Sequence, residues 1–162
     1  MSTNWAELGD GGRVLRRIRA LLMGVLLLGV VGTGVELLLL EHTDGFWQWN
    51  PLLLILISFL VLGWHAADRR AASTQALRAT MLVFVLSGAT GILLHYRGNV
   101  EFELEMYPSL TGWELFRQAM KGATPSLAPG VMIQLGLLGF AYTYRHPALK
   151  RGTGVDSDKK GA

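Results

Sequence analysis

Four stretches of bilayer length carry almost no formal charge, and that pattern constrains the chain more than any motif in it. Residues 20–40 are interrupted only by Glu36, and residues 45–67, 79–96 and 123–144 hold no Asp, Glu, Lys or Arg. An α-helix needs about 20 predominantly apolar residues to cross the hydrocarbon core. The expected fold is therefore an all-α integral membrane protein, a four-helix bundle with spans over about 16–40, 51–66, 79–96 and 130–145. Pro51 and the pair Pro129-Gly130 stand where the second and fourth helices would begin, and a proline in the first turn forfeits no helical hydrogen bond. The first apolar run is too long for a cleaved secretory signal, and no A-x-A-like site follows it.

Composition agrees. At 162 residues the chain allows one domain, here residues 1–150, and 51% hydrophobic against 17% charged residues with a mean hydropathy of +0.34 excludes disorder by composition. Twenty glycines suit helices that pack closely in lipid. The absence of cysteine removes disulfides, thiol nucleophiles and Cys-ligated metals. The polar tail 151–162 (RGTGVDSDKKGA) reads as a disordered cytoplasmic extension.

Orientation follows from the basic residues, which favour cytoplasmic loops. The N-terminal tail, the loop after the second span and the C-terminal tail hold 12 of the 15 lysines and arginines. With four spans these segments share one side, so both termini are expected in the cytoplasm and the protein in the cytoplasmic membrane. Topology accounts for the net charge of +3 without a nucleic-acid partner.

The long outer loop, 98–128, has its own pattern. Val100, Phe102, Leu104 and Met106 alternate with Glu101, Glu103 and Glu105, a period of two that predicts an extended segment with an acidic face. Thr111-Gly112-Trp113-Glu114 has capping-box spacing, and Trp113, Phe116, Ala119 and Met120 follow at helical intervals, with Gly122 as the stop. This predicts a short amphipathic helix at the membrane interface. A lone extended segment must pair with something, which makes Glu101, Glu103, Glu105, Trp113 and Phe116 candidate partner-binding residues.

Glu36 is the buried-charge question. It lies within the first span, where a carboxylate costs roughly 2.5–3.5 kcal/mol unless it finds a partner or water, and it shares a helical face with Gly29, Gly32 and Thr33. The third span offers Ser87, Gly88, Gly91 and His95 on one face, and the fourth places Gln134 near its outer start. These predict a polar cluster of Glu36, His95 and Gln134, topped by Glu41 and His42. A transition metal could use Glu36, His42, His95 and Glu101, although no metal-binding spacing such as HExxH occurs. Two b-type haems between His42 and His95 and between His65 and His146 form a further alternative.

No catalytic signature is present, and no G-x-S-x-G occurs. The expected function is a non-enzymatic subunit or accessory module binding a protein partner, or a second copy, through its outer acidic face. The alternatives are an embedded metal or haem redox protein, and a small cation or proton carrier using Glu36.

Overall fold

A computed structural model of the chain describes residues 5–151, with side chains from 11 to 149. Helices account for every regular element among them: α1 Trp5–Leu39, α2 Phe46–Ala67, α3 Ala71–Met106, α4 Gly112–Lys121, α5 Gly130–Thr143 and the short α6 Pro147–Arg151. Three of these, Gly11–Leu39 within α1, α2 and α3, are long and apolar enough to cross a membrane. Only 22–28% of their most apolar windows is buried in the protein. Leu21, Leu28, Leu39, Leu60 and Leu93 stay more than half exposed, as lipid contact requires. Helix α5 is apolar but has 14 residues, about 21 Å at helical rise. The expected tail, apart from Arg151, lies outside the described residues.

The chain divides into two units, one of residues 1–80 and 138–162, the other of residues 81–137. In the first, α1 and α2 pack together through Leu26, Val30 and Thr33 on one helix and Leu54, Ile55, Ser58 and Leu62 on the other, all buried. A Cβ on Gly34 would lie 3.2 Å from Cγ2 of Ile55. Ser58 satisfies its hydroxyl on the Ile55 carbonyl, 2.7 Å away.

In the second unit α3 meets the start of α5 along glycines. A Cβ on Gly88 would lie 2.8 Å from both the Pro129 carbonyl and Cγ1 of Ile133, and one on Gly91 2.7 Å from Cβ of Pro129. Gly136 lies as tightly against the Met81 carbonyl and the Val85 side chain, at 2.6 Å each.

The extended segment expected over 100–106 is instead the last two turns of α3. Lengthening a helix needs no new nucleus, and Glu, Leu and Met all have good helix propensity. The burial pattern is helical: Asn99, Val100, Glu103 and Leu104 are at least partly covered, while Glu101, Phe102, Glu105 and Met106 are exposed. Phe102 and Met106, expected on a buried face, are 51% and 59% exposed. No strand occurs among the described residues.

Helix α4 begins and ends where expected, with Thr111 at the N-cap and Gly122 at the C-cap. The expected capping box is not bonded: Thr111 makes no side-chain cap hydrogen bond. Glu114 instead accepts from Arg117 at 2.7 Å and Gln118 at 3.0 Å, and the Arg117 guanidinium holds its carboxyl below the usual range. Gly112 has φ +57°, the left-handed region that favours glycine.

Candidate functional site

The residues expected to form one polar cluster fall in both units, Glu36, Glu41 and His42 in the first, His95 and Gln134 in the second. Glu36, Glu41 and Gln134 are exposed. The packing face of α1 runs through Leu26, Val30 and Thr33. At about 100° per residue, Glu36 points roughly 90° away from that face, so the expectation that it faces inward is not met within its unit. His95 donates from Nδ1 to the Pro125 carbonyl, 3.0 Å away. One turn on, buried Asn99 donates from Nδ2 to Ala119 O, Thr124 O and Ser126 Oγ at 2.9, 2.6 and 3.1 Å, and its Oδ1 accepts the Thr124 N–H. His95 and Asn99 thus tie the segment after α4 to α3. No group of three His, Asp or Glu able to hold a metal ion occurs among the described residues. Of the outer acids, Glu101 and Glu105 are exposed and Glu103 is partly covered, while Trp113 and Phe116 stack at 5.1 Å with Trp113 73% exposed.

A denser constellation lies in the first unit, where α1 around Arg16 to Arg19, the α2–α3 connection and the end of α5 converge. Helix α2 ends at Asp68, whose N–H caps the Trp64 carbonyl and whose carboxylate pairs with Arg70 at 2.9 Å. Ser73, in the first turn of α3, donates its hydroxyl to the Asp68 and Arg70 carbonyls. That proton is therefore committed, so Ser73 Oγ accepts from Nδ1–H of His65 at 3.2 Å. Nε2 of His65 is then the acceptor for the Tyr142 hydroxyl at 2.8 Å. His65 is 1% exposed and satisfied in its neutral form. The polarity is opposite to that of a Ser–His nucleophile pair, in which the imidazole takes the hydroxyl proton.

Helix α5 terminates on Thr143, whose hydroxyl turns back to the Gly139 and Phe140 carbonyls. Arg145 takes a left-handed conformation, φ 46°, and Arg19 of α1 reaches across to donate to the Tyr144 and Arg145 carbonyls at 3.3 and 3.1 Å. A cation on the last carbonyls of a helix is favoured by its dipole. His146 follows, 7% exposed, its Nδ1 accepting the Ala148 N–H at 3.3 Å. Its ring lies 5.4 Å from His65 and 5.6 Å from Tyr142. Burial pushes its pKa down, and the charges of Arg19 and Arg69 push the same way. Neutral His146 therefore keeps its proton on Nε2.

Beside this cluster opens a cleft of about 820 Å³, within the size range of small-molecule sites. Four guanidinium-bearing residues line it, Arg16, Arg19, Arg69 and Arg70, together with Tyr142 and His146. No acidic residue among the described residues lines it. Arg70 is paired with Asp68, whereas Arg16, Arg19 and Arg69 have no carboxylate partner among the described residues. Guanidiniums without a carboxylate partner, gathered around one cleft, favour an anion that can take several N–H bonds, a phosphate above all. With both ring nitrogens of His65 engaged, the His65–His146 pair does not present two free axial ligands to a haem.

This constellation hydrogen-bonds residues up to 126 positions apart with no shared spacing motif. The only sequence signal for it is one face of α1, where Arg16, Arg19, Ala20, Met23, Gly24 and Leu27 recur at helical intervals. No protein-family model, curated protein or solved structure matches the chain.

Proposed function

We propose that this chain is a non-enzymatic membrane protein of four spans, both termini in the cytoplasm, that receives an anionic ligand in the arginine-lined cleft at its cytoplasmic end. The observation that carries this reading is the cleft itself: Arg16, Arg19, Arg69, Arg70 and His146 come from the three segments that hold most of the basic residues and meet around one space. Their convergence supports one end for all three, as an even number of spans demands. Helix α5 would complete the fourth crossing with the uncharged turns before it. Irregular backbone at membrane depth is tolerated where protein covers it, and Pro129 packs against Gly91.

The chain has no cysteine, so single substitutions report topology directly. In intact cells, a membrane-impermeant maleimide should label Thr43→Cys and Ser109→Cys and leave Ala72→Cys unlabelled until the cells are opened. Labelling of Ala72→Cys from outside would overturn the orientation and, with it, the cytoplasmic cleft.

A second reading keeps a protein partner on the acidic outer loop, now without an unpaired extended segment to support it. The stacked and exposed Trp113 and Phe116 favour it. It requires a defined protein complex on gentle release from the membrane that dissociates in Trp113→Ala; a wild-type monomer would count against it.

A further inference from the structure

The lining of the cleft changes character along one helix face. Starting from Arg16 and Arg19, it continues through Ala20, Met23 and Gly24 to Leu27. These positions fall on one side of α1 at about 100° per residue, and Arg16 to Leu27 spans about 16 Å of helix axis. The guanidinium end lies outside the uncharged stretch that begins at Ala20, and the apolar end lies well inside it. A small soluble anion would fill only the charged end and leave the apolar half against water. An amphiphile matches both halves. Gly24 is exposed, and a Cβ there would meet nothing within 4 Å, so the groove has room alongside the helix at the depth where an acyl chain would lie.

We infer that the cleft is a site for a membrane lipid with an anionic phosphate headgroup, its phosphate held by Arg16, Arg19 and Arg69 and one acyl chain lying along Ala20, Met23, Gly24 and Leu27. This rests on the anion-receptor reading above and narrows it to one chemical class. The site differs from general attraction of basic loops to anionic lipid surfaces, because it requires particular arginines and a particular groove. Arg17 supplies the contrast: it neighbours Arg16 in sequence and is exposed like it, but does not line the cleft.

The test uses the full-length protein in detergent micelles, titrated with phosphatidylglycerol or phosphatidylcholine, with bound lipid read by native mass spectrometry and millimolar inorganic phosphate as competitor. One phosphatidylglycerol should bind in preference to phosphatidylcholine and resist phosphate. Affinity should fall about tenfold or more in Arg16→Gln and in Arg69→Gln, since each removes a charge-assisted bond. Arg17→Gln should bind as wild type. Gly24→Leu, which fills the groove without meeting backbone, should also weaken binding, with helicity and elution unchanged. Arg19 is left intact because it also holds the end of α5.

Retention of lipid in Gly24→Leu with loss in Arg16→Gln would overturn the acyl groove while leaving the anion receptor standing. So would displacement of the lipid by phosphate. Equal loss in Arg17→Gln, or no bound anion of either kind, would overturn both the lipid site and the receptor reading.

Discussion

Gly136→Ala tests the closest helix contact in the second unit. A methyl at Gly136 would lie 2.6 Å from the Met81 carbonyl oxygen and 2.6 Å from Cγ2 of Val85. Ordinary carbon–oxygen contact between helices is about 3.3 Å or longer, so α3 and α5 would have to part locally by about 0.7 Å. The Met81 obstruction is backbone in mid-helix, which cannot swing aside as a side-chain tip can. Overpacking of this kind costs about 1–3 kcal/mol, or about 5- to 150-fold in the unfolding equilibrium. The control is Gly24→Ala, which meets nothing within 4 Å. Both replacements gain the same helix propensity, up to about 1 kcal/mol, so their difference isolates the clash. The assay is unfolding of the full chain in detergent micelles by increasing SDS fraction, followed by circular dichroism. Gly136→Ala should unfold earlier than both wild type and Gly24→Ala. Equal midpoints for the two variants would refute the close approach of α3 and α5.

Asn99→Ala should free the segment after α4, because it strips the part-buried Thr124 N–H of its acceptor and the Thr124 carbonyl of its donor. A loss of about 1–3 kcal/mol should appear as faster amide hydrogen exchange across 112–126, and unchanged exchange there would count against the anchoring role. His146 predicts a pH dependence. Its pKa is lowered in the folded state by burial and by Arg19 of α1 and Arg69 of the connecting loop, so the unfolded chain binds the proton more readily. Its stabilising contribution is then complete above the ordinary value of about 6.5 and declines as pH falls below it, toward the folded pKa. The melting midpoint in detergent should drop between about pH 7.5 and pH 5.5. His146→Gln, which keeps an acceptor for the Ala148 N–H, should flatten that drop; a slope equal to wild type would exclude His146 as its source.

The long helices were legible because a bilayer-length apolar run has few other uses, and the α4 boundaries because Thr111 and Gly122 stand at recognisable capping positions. Gly88 and Gly91 were readable as a face built for close approach, although not their partners Pro129 and Ile133, because a small residue states that something comes near without stating what. The stretch 100–106 fits two periods. Alternate apolar residues suggest a strand, but Asn99, Val100, Glu103 and Leu104 recur equally well as one helical face. A preceding helix decides between them, since continuing it avoids the cost of a new nucleus.

The basic end escaped the sequence for a different reason: its arginines already had an explanation. Positive-inside topology accounts for Arg16, Arg19, Arg69 and Arg70 one at a time and says nothing about whether they meet. Their meeting depends on the Arg16–Arg19 turn of α1 lying beside the end of α5, which Arg19 enforces by binding the Tyr144 and Arg145 carbonyls. It depends equally on His65 joining α2 to Ser73 of α3 and Tyr142 of α5. Those hydrogen bonds are made by neutral or carbonyl partners, which leaves the guanidinium charge at Arg16, Arg19 and Arg69 without a carboxylate among the described residues. A structural arginine that needed its charge neutralised would be expected beside an Asp or Glu, as Arg70 is beside Asp68. The three that lack one among the described residues instead face an open cleft, and that imbalance of charge is what supports the proposed receptor over a topological role alone.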